Sequence, residues 1–361
     1  MGIEKKAFNS EIGILRFVFA VFIFLVHVHD LTGRFFGDGN FAVEFFFFLS
    51  GYFLAVHAIE KRDRTLSTGE ACRNYLSRRY LTLLPLLLIA ILFGAVTRLI
   101  INGALTKAEI LHSLGDVFLT QGYRFQGAFF TGVTWYLSVL MIGIALLYPL
   151  LVKWPSYFTN VFSIVFALFA YGTLAAVTGN LSDPGSSVGF LMKGTLRGLA
   201  AMSIGCFLYG TMPRLSKIRM LQHGFFRNVI KWSCYLVVFA GMTFLTDSPY
   251  LFPLLLPFAV ATGLSLYEGK LKTKSGGKFE TFARFLQDLS LPFYLLHWNV
   301  IALTRRFAGQ FLAPLPDKVR NLLTVGLAFL LSLAAASLFL LVEKAVKKAW
   351  KKRKKSSEPA K

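Results

Sequence analysis

The chain has 361 residues, of which 55% are hydrophobic and 16% aromatic, and its mean hydropathy is +0.58. A composition this apolar excludes a soluble globular domain and is typical of a protein that crosses a lipid bilayer several times. The formal net charge of +21 does not indicate a nucleic-acid partner, because the basic residues concentrate in alternate connecting segments rather than in one patch.

Ten apolar segments approach the length of about 20 residues that a helix needs to cross the hydrocarbon core. We therefore predict an all-α fold, a polytopic membrane protein with about ten transmembrane helices. The positive-inside rule places both termini in the cytoplasm. Residues 1–343 are predicted to form a single transmembrane domain, and the basic segment 344–361 a cytoplasmic tail that contacts anionic headgroups. The predicted spans are 12–30, 41–59, 80–101, 134–152, 159–178, 188–209, 229–246, 251–267, 288–304 and 321–343.

Two ionisable residues, Arg16 and His27, lie in the first predicted span. They are eleven residues apart, so on a helix they share one stripe and stand about 16 Å apart along the axis. An ionisable residue inside a bilayer costs at least about 2.5 kcal/mol and usually faces a cavity or a partner. The pair therefore indicates a polar path, although an Arg16 that reaches the interface and a His27 that only packs would give the same pattern.

The second predicted span contains Glu44 and, seven residues later on the same face, Gly51. Counted from the connecting loop, Glu44 lies at a depth similar to that of His27, so its carboxylate is a candidate orienting partner for that imidazole. Asp30, three residues after His27, is a rival orienting partner. A hydrogen bond from Glu44 to a neighbouring helix is the structural alternative, and Gly51 admits either a ligand or another backbone.

The sequence resembles the acyltransferase-3 family of integral-membrane O-acyltransferases, which modify cell-surface glycans and related lipids. The resemblance rests on several motifs in the family's order, and any one of them alone is weak. They are Arg16 and His27, Glu44 with Phe45–Phe48, Ser50-Gly51-Tyr52, Arg78-Arg79 leading to Pro85, Thr134-Trp135-Tyr136, and Phe293-Tyr294 with His297-Trp298.

The resemblance implies that a cytoplasmic acyl-CoA, commonly acetyl-CoA, donates its acyl group to a hydroxyl of an extracytoplasmic glycan or glycolipid. Arg73, Arg78 and Arg79 would bind the CoA phosphates, because the guanidinium fork suits phosphate geometry, although positive-inside topology alone also explains them. Thr82 stands where the family usually has a second arginine. The resemblance therefore does not determine how the phosphates of the donor are bound.

With Arg16, His27 and Glu44 as catalytic residues, His27 would act as a general base or carry the acyl group itself. An oxyanion donor is also required. The candidates for that role are Ser50, Trp135, Tyr136 and His297, of which Trp135 and His297 also fit an aromatic belt at the interface.

The predicted partners are acyl-CoA, the glycan or glycolipid acceptor and the bilayer of a bacterial plasma membrane, with no nucleic acid. No metal site and no permanently bound cofactor is predicted, because Cys72, Cys206 and Cys234 show no ligand spacing. Two other functions stay open: a polysaccharide transporter or flippase, since polar residues in a bundle also mark transport paths, and a non-catalytic partner in a glycan-assembly complex.

Overall fold

The computed structural model describes residues 8–32, 39–123, 130–245, 249–271 and 276–356, with the side chains of Asp30, Thr32 and residues 347–356 outside the description. The protein is 84% helical, which confirms the all-α prediction. Ten helices of fourteen residues or more lie in the described residues. They are α1 (Ser10–Val26), α2 (Val43–Val56), α3 (Thr68–Asn102), α4 (Trp135–Lys153), α5 (Ser163–Thr178), α6 (Lys193–Leu215), α7 (Gly224–Phe244), α8 (Leu255–Leu271), α9 (Lys278–Phe311) and α10 (Asp317–Ser356).

Short helical segments and one small hairpin connect these helices. The short segments are His29–Thr32, Gly39–Ala42, His57–Lys61, Lys107–His112, Leu114–Val117, Gln121–Tyr123, Pro155–Tyr157, Phe158–Phe162, Arg219–Gln222 and Pro249–Leu254. The strands Ser187–Val188 and Leu191–Met192 pair antiparallel, with Ser187 opposite Met192. Gly189, in the two-residue turn between them, has a φ of 61°, a conformation that glycine adopts at little cost.

Each long helix overlaps one predicted span, and within the described ranges six helical stretches are long and apolar enough to cross a membrane. These six are Gly39–Lys61, Thr68–Asn102, Trp135–Lys153, Pro155–Thr178, Pro249–Leu271 and Asp317–Val346. The protein is therefore a multi-pass membrane protein, whereas the count of ten spans and the orientation stay predictions.

Local sequence signals set the helix ends. Asn9 caps α1, because its side-chain oxygen accepts a hydrogen bond from the Ile12 N–H. Ser67 and Glu70 form a reciprocal capping box at the start of α3. At the other end of α3, Gly103 takes a φ of 78°, the left-handed conformation that commonly ends helices.

Glycine allows α2 and α6 to pack backbone against backbone. A Cβ atom added to Gly51 of α2 would lie 1.9 Å from the Met202 carbonyl oxygen of α6. Gly205 of α6 is equally crowded, with the Phe48 carbonyl oxygen 2.1 Å from the position of a Cβ. Gly51 therefore admits a neighbouring backbone, which is the packing use of small residues in membrane helices.

A buried lysine fastens α1 to α7 and α8. The Lys231 ammonium of α7 lies 2.6 Å from a Glu11 carboxylate oxygen of α1 and 2.5 Å from a Glu268 carboxylate oxygen of α8. The Ser265 hydroxyl donates to the second Glu11 oxygen, and its backbone carbonyl accepts from the Asn9 side chain. The start of α1 is thus held by charge-assisted hydrogen bonds.

The glycine contact between α2 and α6 gives a stability prediction. Gly51→Ala should lower the thermal midpoint of the detergent-solubilised protein, because overpacking typically costs about 1–3 kcal/mol and the obstacle here is backbone. Gly326→Ala on α10 is the matched control, since no described atom beyond its own stretch of helix lies within 4 Å of its Cβ position. Differential scanning fluorimetry measures both midpoints, and equal midpoints for the two variants would contradict the close contact.

Candidate active site

His27 directly follows the last residue of α1 and packs against His297 of α9. The His27 and His297 ring centroids are 5.2 Å apart, and the Trp298 ring meets His27 edge-on at 4.8 Å. The Arg305 guanidinium of α9 donates a 2.8 Å hydrogen bond to the backbone carbonyl of His27. Two motifs separated by 270 residues in the sequence therefore meet in one place.

His297 is fully buried behind His27. Its Nδ1 donates a 2.6 Å hydrogen bond to the Tyr294 carbonyl oxygen one turn earlier in α9. Among the described residues its Nε2 has no hydrogen-bond partner. The Tyr294 hydroxyl donates to the Val133 carbonyl oxygen at 2.7 Å, which ties α9 to the segment that precedes α4.

A cavity of about 600 Å³ opens beside His27. It is bounded by α1, α9, the beginnings of α2 and α4, and the loop and hairpin before α6. Its lining residues are Ile23, His27, Asn40, Val43, Gln121, Thr131, Gly132, Val133, Trp135, Asp183, Pro184, Gly185, Ser187, Met192, Tyr294 and Trp298. The cavity thus combines aromatic walls with several polar groups, the usual make-up of a small-molecule site.

A buried carboxylate organises one wall of this cavity. Asp116 accepts hydrogen bonds from the Gln121 amide at 2.6 Å, the Thr134 hydroxyl at 2.8 Å, the Thr131 hydroxyl at 3.2 Å and the Phe130 N–H at 2.7 Å. Burial outweighs these four bonds and raises the pKa of Asp116 above its ordinary value. Two of the donors also line the cavity, so Asp116 fixes the shape of its wall.

Glu44 is held by Arg197 of α6. Its Oε1 accepts from the Arg197 Nε at 2.7 Å and from the Tyr171 hydroxyl at 3.1 Å, and both charged side chains are buried. The remaining Arg197 nitrogens donate to the Leu181 carbonyl oxygen at 2.9 Å and the Asn40 carbonyl oxygen at 2.6 Å. The pair therefore joins α2 and α6 to two segments that lead into the cavity.

The orienting partners predicted for His27 have different positions. The hydrogen bonds described for Glu44 go to Arg197 and Tyr171, so an orienting contact between Glu44 and His27 stays a prediction. Asp30 lies in the short helix His29–Thr32, and its side chain lies outside the described residues.

Arg16 lies on α1 beside the candidate oxyanion donors. Tyr136 and Arg79 are within electrostatic range of its guanidinium, and its Nε is buried without a hydrogen-bond partner in the described part of the chain. The Ser50 hydroxyl donates to the Phe46 carbonyl oxygen at 2.7 Å and lies 3.3 Å from the Tyr136 hydroxyl. The structure thus brings Arg16, Tyr136 and Ser50 into one neighbourhood.

The predicted donor arginines are exposed on the first turns of α3. The side chains of all three, Arg73, Arg78 and Arg79, are exposed at the protein surface. The Arg79 guanidinium lies 5.8 Å from the Tyr75 ring centroid. The Thr82 hydroxyl donates to the Arg78 carbonyl oxygen at 2.7 Å, an intrahelical bond that supplies no charge to the cluster.

Several residues of this site were not predicted from the sequence. Asp116 lies in the short helix Leu114–Val117 of a connecting segment of ordinary composition, and Arg197 is separated from Glu44 by 153 residues. Asp183 lines the cavity with a φ of 53°, a left-handed conformation that is uncommon outside glycine and clusters at functional sites. Arg197 carried a usable signal, since it is a charged residue inside an apolar span, whereas the other two depend on how loops fold.

Comparison with known proteins gives one match. A family model described as an acyltransferase domain matches residues 9–341, nearly the whole chain. No curated protein and no solved structure matches the chain.

The buried ion pair gives a second prediction. Arg197→Met should lower the thermal midpoint strongly, because an unpaired buried Glu44 costs about 3–5 kcal/mol, and adding Glu44→Gln should recover part of the loss. Arg98→Met is the matched control, since its pair with Glu109 is partly exposed and such pairs contribute about 0–1 kcal/mol. A double variant no more stable than Arg197→Met would contradict the pairing argument.

Proposed function

The chain belongs to the acyltransferase-3 family, as its motifs predict, and is a membrane acyltransferase; from this premise we propose the substrates and the direction of transfer. The protein moves an acyl group, preferentially acetyl, from cytoplasmic acyl-CoA to a hydroxyl of an extracytoplasmic glycan or glycolipid in a bacterial plasma membrane. The observation that carries this proposal is the cavity of about 600 Å³ that His27 helps to line.

The lining of the cavity supports a sugar acceptor. Asn40, Gln121 and Ser187 present neutral hydrogen-bonding groups, and Asp183 adds a carboxylate. Aromatic side chains from α4 and α9 complete the walls, and such rings offer flat apolar faces with a polar edge. This mixture suits a ring that carries hydroxyls on its rim and C–H groups on its faces.

The arginines at the start of α3 support a CoA donor. CoA is a polyanion, and Arg73, Arg78 and Arg79 are exposed close together on one helix. Arg16 lies within electrostatic range of Arg79, which extends the basic surface towards α1. The distance of about 16 Å from Arg16 to His27 along α1 is of the order of the pantetheine arm, so the thioester would reach His27.

The chemistry follows from these positions. His27 takes the proton of the acceptor hydroxyl while the oxygen attacks the thioester carbonyl carbon. The tetrahedral intermediate, stabilised by donors such as the Trp135 N–H or the Tyr136 O–H, collapses with cleavage of the C–S bond. The CoA thiolate leaves and recovers the proton from the His27 imidazolium. In a two-step variant His27 itself accepts the acyl group and passes it to the hydroxyl.

Acyl transfer by the purified protein tests the function. Reconstituted with radiolabelled acetyl-CoA and a bacterial lipid-linked glycan extract, the wild type should label the glycan, and His27→Ala should reduce labelling by roughly 10²–10⁴-fold because a positioned base is lost. His223→Ala, an exposed histidine far along the chain, is the control. More than about a tenth of wild-type turnover in His27→Ala would exclude His27 as the base.

The direction of transfer gives a topological prediction. A cysteine at Lys107 should react with an impermeant thiol reagent on intact cells, and one at Arg64 only after lysis, in a background with Cys72 and Cys234 replaced by serine. The reason is that the basic connections belong on the cytoplasmic side. The opposite labelling pattern would place Arg73, Arg78 and Arg79 outside, away from acyl-CoA.

A further inference from the structure

The His297 imidazole presents an unused acceptor. A carbonyl oxygen only accepts hydrogen bonds, so the 2.6 Å contact with Tyr294 means that Nδ1 of His297 carries the proton. In the neutral ring Nε2 then holds a lone pair. Nε2 is buried, and no described residue donates to it. Since buried polar atoms are normally paired, this atom requires a donor.

Among the rings that surround His297, one can supply that donor. Phe24 and Phe293 lie 6.1 and 6.2 Å away by ring centroids and carry no polar hydrogen. The Tyr294 ring lies at 5.9 Å, but its hydroxyl already donates to a backbone carbonyl. His27 is the closest of these rings, at 5.2 Å, and it carries an N–H.

The separation of the two histidines suits a direct bond. An N–H···N hydrogen bond of about 2.9 Å between two five-membered rings places their centroids roughly 5 Å apart. The observed 5.2 Å, with the two ring planes 30° apart, matches the centroid separation of such a bond.

We propose that His297 is the positioning residue of His27: its Nε2 accepts an N–H of His27 and so directs the other nitrogen of His27, with its lone pair, into the cavity. This proposal rests on the proposed function, in which His27 is the base. It assigns to a neutral imidazole the orienting role that a carboxylate has in other acyl-transfer sites. The described bonds of Glu44 are consistent with this, because they go to Arg197 and Tyr171.

In this arrangement the proton that His27 takes from the acceptor hydroxyl is returned in the same reaction cycle. When the cavity-facing nitrogen of His27 takes the hydroxyl proton, the imidazolium keeps its other N–H on Nε2 of His297, and the bond becomes charge-assisted. The C–O bond forms, the C–S bond breaks, and the same cavity-facing nitrogen returns its proton to the thiolate. His29 and Arg305 are the other charged or titratable groups that act on His27, and the Arg305 guanidinium donates a hydrogen bond to the His27 backbone carbonyl.

Kinetics of three variants test the proposal. His297→Phe keeps a ring but removes the acceptor, so kcat should fall at least tenfold while the KM for acetyl-CoA stays within a factor of two. His297→Gln keeps a carbonyl acceptor and should retain most of the activity. Phe293→Leu is the packing control, because it disturbs the same ring cluster without removing Nε2. Equal losses in Phe293→Leu and His297→Phe, or full activity in His297→Phe, would overturn the proposal.

A spectroscopic measurement separates this proposal from the function itself. In wild-type protein labelled with ¹⁵N-histidine and held in nanodiscs, His27, assigned by its loss in His27→Ala, should show one dominant tautomer with a hydrogen-bonded N–H. In His297→Phe that tautomer preference should disappear. If the wild type transfers no acyl group but shows this signature, the proposed function fails and the pairing stands; an unchanged His27 spectrum in His297→Phe overturns the pairing.

Discussion

The ion pair between Glu44 and Arg197 is the interaction on which the site depends. Burying a charge in a low-dielectric interior is costly unless it is paired and hydrogen-bonded. Arg197 donates to one carboxylate oxygen and two backbone carbonyls, while the second Glu44 oxygen has no hydrogen-bond partner among the described residues. One of those carbonyls belongs to Asn40, which lines the cavity. The same guanidinium therefore stabilises the α2–α6 contact and fixes the backbone at the cavity wall.

The same pairing bears on which residue orients His27. The described hydrogen bonds of the Glu44 carboxylate go to Arg197 and Tyr171. The described ring contacts of His27 are with His297 and Trp298, and its backbone carbonyl accepts a hydrogen bond from Arg305. Among the described residues, the neighbouring histidine is therefore the polar side chain placed to orient the His27 ring.

The helical architecture was predictable because hydropathy and span length are local properties, and each long helix overlaps one predicted span. His27 was recognised as an ionisable residue in an apolar span and His297 through a family motif, and the structure places them together. The residue that orients His27 was not predictable from the sequence. Glu44 was the candidate, but the hydrogen-bond partner of Glu44 depends on how α2 crosses α6 at Gly51. Asp116 was missed for a similar reason: its burial arises from the fold of a loop, and loop composition does not encode it.

The fastening of α1 has a mechanical consequence. Lys231 holds Glu11 near the first turn, and Arg305 holds the carbonyl of His27 just beyond the last. A shift of α1 along its axis would break the ion pair between Lys231 and Glu11 at one end. At the other end it would break the charge-assisted hydrogen bond from Arg305 to the His27 carbonyl. Rotation of side chains on α1 breaks neither of these contacts. We therefore expect the backbone of α1 to keep its position during the reaction, with any movement confined to its side chains.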